Sequence, residues 1–166
     1  MMKKLKIGDI AFIGIMVAGA MILSYVESFF TVGIPGLKLG MPNIFVIVVL
    51  YKYGPWHALS LSVVRSLLSA LLFGSVMSLW YSLAGALLSL LVMSLLVKTK
   101  FFSEIGISIA GGISHNIGQI AVAILVTGVK EIAFYLPILA VGGTVAGVVV
   151  GICAHFLYKV AKKLRS

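Results

Sequence analysis

Arg65 and Glu27 carry the two charges in this sequence that are hardest to reconcile with their neighbours. Arg65 stands near the middle of an apolar run from Trp56 to Phe73, and Glu27 near the end of a run from Ile7 to Phe30. A charged side chain at the centre of a bilayer costs about 2.5–3.5 kcal/mol on insertion scales, so each calls for a partner or a task. On a helix, Ser62 and Ser69 share the face of Arg65, three residues before it and four after. Ser24 and Ser28 lie close to Glu27. Two readings stay open: a Glu27–Arg65 ion pair that fixes the packing of helices, or an Arg65 that meets an anionic substrate group with Glu27 orienting it or competing for it.

A second polar group gathers Ser108, Gly111, Gly112, Ser114, His115, Asn116 and Gln119. His115 and Gln119 are one helical turn apart, on much the same face as Ser108 and Gly111, with Asn116 beside them. Such side chains can bond across to neighbouring helices at about 0.6 kcal/mol per contact. Three amide or imidazole groups within five positions exceed what packing needs, which predicts a cavity lining. The stretch from Pro35 to Asn43 holds two prolines, two glycines and Lys38. It is either an ordinary turn or the rim of an outward-facing mouth where Lys38, Asn43, Glu27 and Arg65 converge and attract anions. Ser69 on the Arg65 face, and Tyr81, Ser82 and Tyr135 near the same side, add hydroxyl and stacking groups. The expected substrate-binding set is therefore Glu27, Lys38, Asn43, Arg65, Ser69, Tyr81, Ser82, His115, Asn116, Gln119 and Tyr135. Trp56, Trp80, Tyr51 and Tyr53 read as interfacial anchors.

The elements that must hold these groups are set by composition. The apolar fraction is 61%, the charged fraction 10% and the mean hydropathy +1.21, against about 25% charged residues in soluble domains. Lipid is the expected solvent, and the expected fold is an all-α membrane protein, a single compact bundle of six transmembrane helices. The spans run approximately over 7–30, 43–53, 56–73, 79–97, 105–129 and 132–158; the second is short enough to be tilted or partly re-entrant. The first has no small-residue cleavage site after it, so it reads as a retained helix and not a signal peptide.

Lys3, Lys4, Lys6, Lys52, Lys98, Lys100, Lys159, Lys162, Lys163 and Arg165 then fall on one side, and only Lys38 and Lys130 on the other. The asymmetry predicts a multi-pass protein of the cell inner (cytoplasmic) membrane with both termini cytoplasmic. The formal charge of +9 sits in gaps between apolar runs rather than in a stripe, which argues against a nucleic-acid partner. A lone Cys153 cannot form an internal disulfide. Small residues recur at Gly143, Gly147 and Gly151, at Gly14 and Ala18, and at Ser66, Ala70 and Gly74, which suits close helix packing; one stripe, foremost that of the first span, is a candidate dock for a partner helix.

Several chemistries find no support. No P-loop occurs, so the chain cannot hydrolyse ATP by that route. His57, His115 and His155 lack the spacing of a metal site. Asp9 is the only aspartate, so no paired aspartates exist to hold magnesium against a diphosphate. The expectation is a non-enzyme without cofactor or metal.

A resemblance sharpens this. The strings Leu23-Ser-Tyr-Val-Glu27-Ser, Gly33-Ile-Pro-Gly-Leu-Lys-Leu-Gly40 with Asn43, Arg65, Gly74-Ser75, Ser82-Leu-Ala-Gly-Ala-Leu-Leu-Ser-Leu-Leu-Val-Met93, Ser114-His-Asn-Ile-Gly-Gln119 and Tyr135-Leu-Pro137 follow in order along nearly the whole chain. Together they resemble the bacterial Gx transporter family, also labelled heptaprenyl diphosphate synthase component I. That family is similar to the substrate-binding S components of energy-coupling factor transporters, six-helix proteins with both termini inside. The resemblance implies a subunit that captures a small, anionic or amphipathic molecule from the outer side. Small residues on the first helix, here Gly14 and Ala18, would dock a membrane coupling subunit served by two ATPases. It further implies a prenylated or flavin-type substrate. The alternatives are a non-catalytic membrane accessory of polyprenyl diphosphate or quinone synthesis, and a structural subunit of a flavin-linked redox complex.

Overall fold

The computed structural model describes residues 6–29 and 40–163, without the side chains of 162 and 163. Six α-helices follow in order: α1 (Ile7–Ser28), α2 (Asn43–Tyr53), α3 (Pro55–Phe73), α4 (Val76–Thr99), α5 (Glu104–Thr127) and α6 (Leu136–Lys163), with a 3-10 helix at Lys130–Tyr135 before the last. No strand occurs among the described residues. The boundaries are set by local chemistry. The backbone N–H of Lys6 donates to Asp9 at 3.0 Å at the start of α1. Ser75 and Ser103 accept from the third residue onward, Ser78 N–H and Gly106 N–H, at 3.1 Å each, satisfying donors that open helix ends leave over. Gly54, at φ +90°, makes the tight α2–α3 turn, and Pro55 opens α3 where its missing N–H costs nothing.

The last helix begins four residues later than the sequence suggested. The expected span opened at Ile132; the structure keeps 130–135 as a 3-10 helix and starts α6 at Leu136, with Pro137 in its first turn. Proline fits the first turn of a helix and disrupts an interior, so the α-helical register is renewed there. The expected fourth span opened at Leu79, three residues inside the observed α4, because the Ser75 cap starts the helix ahead of the apolar run.

Among the described residues five helices are long and apolar enough to cross a membrane: α1, α3, α4, α5 and the segment holding α6. At 1.5 Å per residue these measure about 28–42 Å, against about 30 Å of hydrocarbon. The 11 residues of α2 reach only about 16 Å. This distribution makes the chain a multi-pass membrane protein, and burial agrees. Val46, Ile47, Val48, Val49 and Leu50 are all buried, as expected of a helix that is apolar all round and packed inside the bundle. The outward stripes of α1 (Ile7, Ile15, Ile22) and α6 (Val141, Val145, Val149) are exposed apolar groups, whereas Arg65, Glu27, His115 and Gln119 are buried. The polarity is that of a protein dissolved in lipid.

α4, α5 and α6 meet backbone to backbone. A Cβ added to Gly147 would stand 2.6 Å from Ile109 Cα, and one on Gly151 2.8 Å from Ile105 Cα. One on Gly112 would collide with the Gly143 carbonyl. On the other side of α5, a Cβ on Gly118 would lie 2.7 Å from the Ala84 carbonyl oxygen. The Gly143–Gly147–Gly151 stripe is thus consumed by packing within the molecule. Gly14, by contrast, has nothing within 4 Å, and Ala18 beside it is exposed.

Candidate functional site

Three helices carry polar groups to one depth. Asn43 opens α2, 11 residues from its end at the Gly54 turn. Arg65 lies ten residues beyond Pro55 on the antiparallel α3. His115 lies eleven residues beyond Glu104 on α5, which starts at the same end of the bundle as α3. At 1.5 Å per residue each stands about 15–17 Å from that end, near mid-depth of an about 30 Å layer.

Glu27 reaches this level from α1. Its carboxylate accepts hydrogen bonds from the backbone N–H of Gly40 and, at 3.2 Å, from that of Met41, so it holds the chain segment that leads into α2. Gly40, at φ +88°, lies between Asn43 and His115: a Cβ there would be 3.2 Å from Asn43 Nδ2 and 3.4 Å from His115 Cδ2. His115 in turn sits on Gly85 of α4, where a Cβ would come within 2.9 Å of the imidazole. Its Nε2 meets Gln119 Nε2 at 2.8 Å, one turn along α5, so the ring nitrogen accepts from the amide. Glycine at 40 and 85 gives the imidazole its room.

Arg65 is 2% exposed and makes one hydrogen bond, from Nη1 to Ser24 Oγ at 3.4 Å. Glu27 attracts it electrostatically, but the direct Glu27–Arg65 ion pair considered from the sequence is not formed. Arg65 Nε and Nη2 have no hydrogen-bond partner among the described residues, and neither do the buried hydroxyls of Ser62, Ser66 and Ser69 on the same helix. The N–H bonds of Nε and Nη2 point the same way and form the fork that grips a carboxylate or phosphate side-on. A buried guanidinium normally fills that fork, since an unsatisfied charged donor carries a penalty above the about 1–3 kcal/mol of a neutral one.

Beside this group, Gly40, Asn43, Ile47, Met93, Ser108 and Gly111 line a cavity of about 10 Å³ between α2, α4, α5 and α6. It has room for about one water. Asn43 Oδ1 and Ser108 Oγ, both without a hydrogen-bond partner among the described residues, are its polar lining.

The remaining expected residues divide. Tyr81 and Ser82 are buried on α4. Asn116 turns away from the His115 face and donates from Nδ2 to the Leu139 carbonyl of α6 at 2.7 Å, acting as a helix tie. Tyr135 ends the 3-10 helix and is 43% exposed. Lys38 lies outside the described residues. Sequence reasoning placed Ser66, which lies beside Arg65 in the chain, only in a small-residue packing stripe, and cast Ser24 only as a neighbour of Glu27. The signal for Ser24 was its position one turn before Glu27 on α1. Gly40 and Gly85 carried no signal until the imidazole they accommodate was placed.

A family model described as heptaprenyl diphosphate synthase component I matches residues 16–157. The chain belongs to that family. No curated protein and no solved structure matches it. The matched stretch takes in Glu27, Arg65, His115, Gln119 and every residue lining the small cavity, so the buried polar group lies wholly within the component I region. The family description makes a component I one part of a synthase, which makes a partner subunit plausible. Among the described residues no three His, Cys, Asp or Glu side chains gather as metal ligands.

Proposed function

We propose that this component I protein is a non-catalytic, membrane-embedded substrate-binding subunit, of the kind found as S components of energy-coupling factor transporters. It takes a small anionic or amphipathic molecule from the outer side. In this reading α2 serves as a short sixth crossing, both termini are cytoplasmic, and Gly14 and Ala18 dock a coupling subunit served by two ATPases. One observation carries it: the Nε/Nη2 fork of Arg65, about 15 Å along α3 from its start, is buried and left without a hydrogen-bond partner among the described residues, on a helix whose Ser62, Ser66 and Ser69 hydroxyls are buried and equally unpartnered. A guanidinium held that way suits an incoming oxyanion, and polar sites of this depth suit transporters. His115, Gln119 and Asn43 supply hydrogen bonds to the rest of the molecule. The neighbouring cavity has room for about one water, so capture of anything larger requires α2 to part from α4–α6. The exposure of Gly14 and Ala18 supports a docking face on α1.

The test is thermal stabilisation of the purified protein by farnesyl diphosphate, flavin mononucleotide and inorganic pyrophosphate, set against Arg65→Gln. One of these should raise Tm in the unaltered protein and bind about tenfold or more weakly to the variant, the loss expected for a charge-assisted hydrogen bond. Equal stabilisation of both proteins removes Arg65 from the site.

The family description favours a second reading, a membrane accessory of polyprenyl diphosphate synthesis. It predicts co-purification with a soluble synthase and a change in that synthase's products when this chain is deleted.

A further inference from the structure

α3 and α4 run antiparallel, so the start of α3 lies beside the end of α4. A trough of about 350 Å³ lies between them, lined by Trp56 and Leu59 on α3 and by Leu87, Leu91, Ser94 and Lys98, among others, on α4. The α4 residues recur at spacings of three and four, so they form one stripe about 16 Å long. Its chemistry is graded. Lys98 stands exposed at the end shared with Lys100 and the α2–α3 turn, and Ser94 lies one turn deeper; Leu91 and Leu87 continue the wall into the hydrocarbon. Ser94 Oγ is buried and has no hydrogen-bond partner among the described residues. Trp56, 61% exposed, stands across the mouth from Lys98, the position of an interfacial aromatic.

We infer that this trough holds one anionic, phosphate-headed lipid of the surrounding leaflet. The chain lies along the leucines, and the phosphate oxygens accept hydrogen bonds from Lys98 Nζ and, once its side chain turns into the trough, from Ser94 Oγ. The three polar side chains of the lining, Trp56, Ser94 and Lys98, each carry a donor, and no acidic residue is among them, so the mouth complements the acceptor oxygens of a phosphate. Basic pockets between helices at one membrane face bind lipid headgroups by this logic. The wall beyond Ser94 is all carbon, as a tail in place of water requires. The trough lies on the opposite side of α4 from His115, and its occupancy does not depend on the Arg65 site.

Native mass spectrometry of the full chain tests this after exchange from vesicles of phosphatidylcholine alone or phosphatidylcholine mixed with phosphatidylglycerol, with glycerol 3-phosphate as a soluble head lacking a tail. One phosphatidylglycerol per chain should survive activation. Lys98→Gln should weaken its retention about fivefold, the effect of one lysine near a membrane phosphate. Leu91→Trp, which narrows the trough where the tail would lie, should also weaken retention, and both variants should keep the melting temperature of the unaltered protein. Equal retention of the two lipids, or retention indifferent to both substitutions, means a general lipid annulus and overturns the inference. Competition by glycerol 3-phosphate also overturns it, because the head alone would then suffice.

Discussion

Replacing Gly147 by alanine adds one methyl group where α6 crosses α5. The new Cβ would stand 2.6 Å from Ile109 Cα and 3.0 Å from both Ile109 N and the Ser108 carbonyl oxygen. All three are backbone atoms, so no rotamer change relieves the contact; ordinary carbon contacts lie at about 3.5–4.0 Å, and α6 must move off α5 by about 1 Å. Such overpacking costs about 1–3 kcal/mol, and the better helix propensity of alanine returns about 0.5–1 kcal/mol. A net loss of about 0–2.5 kcal/mol remains, centred on about 1 kcal/mol, or about 2–4 °C in Tm at about 2–4 °C per kcal/mol for a chain of this size. Gly14→Ala is the internal control, because nothing lies within 4 Å of a Cβ at Gly14. It retains only the propensity gain, and its Tm should equal or exceed that of the unaltered protein. The fluorescence of Trp56 and Trp80 during heating in detergent reads both transitions. A Gly147→Ala protein that melts with the unaltered one, or a Gly14→Ala protein that loses as much, refutes the assignment of the α6 stripe to internal packing and the α1 stripe to an open face.

Asn116→Leu removes the tie to the Leu139 carbonyl, and a drop of about 0.6 kcal/mol is expected in the same melting assay, with about 1.7 kcal/mol as the upper end for such bonds in membranes. Ligand-induced stabilisation should survive that change, since the side chain faces α6; its loss would return Asn116 to the binding set. For orientation, Cys153→Ala removes the single thiol. A cysteine then placed by Thr99→Cys should react with a membrane-impermeant maleimide only in inverted vesicles, and one placed by Ser75→Cys only in intact cells. The reverse pattern contradicts cytoplasmic termini.

Much of the architecture was legible because membrane burial is written in composition. Uninterrupted apolar runs found α1, α3, α4 and α5 to within a few residues, and the brevity of the run from Asn43 to Tyr53 already marked α2 as unlike the rest. The start of α6 was misplaced because Ile132, Phe134 and Leu136 are as apolar as the helix proper, while the geometry there is decided by Pro137. For the site, residue type on an apolar background pointed to Arg65, Glu27, His115 and Gln119, all of which are buried. Direction was less accessible. Asn116 follows His115 directly and so points about 100° around the helix, to α6. Opposite charge suggested that Glu27 and Arg65 would touch, yet Glu27 is occupied by the Gly40 and Met41 amides and Arg65 reaches Ser24. Such choices among several polar partners depend on helix rotation, which residue spacing within one helix does not encode.

The glycine contacts at Gly112, Gly118, Gly143 and Gly147 leave no side-chain layer between α4, α5 and α6. Without that compressible layer, sliding one of the three helices drags the other two, and they form a single stiff block. α1 and α2 instead meet through the Phe45 ring lying against Gly19, and α1 meets α3 through the reach of Arg65 to Ser24. Those contacts can turn about side-chain torsions. Any opening and closing stroke of this molecule is therefore divided unequally: α4–α6 is the frame, and α1, held to α2 and α3 through side chains, is the part that can shift against its neighbours.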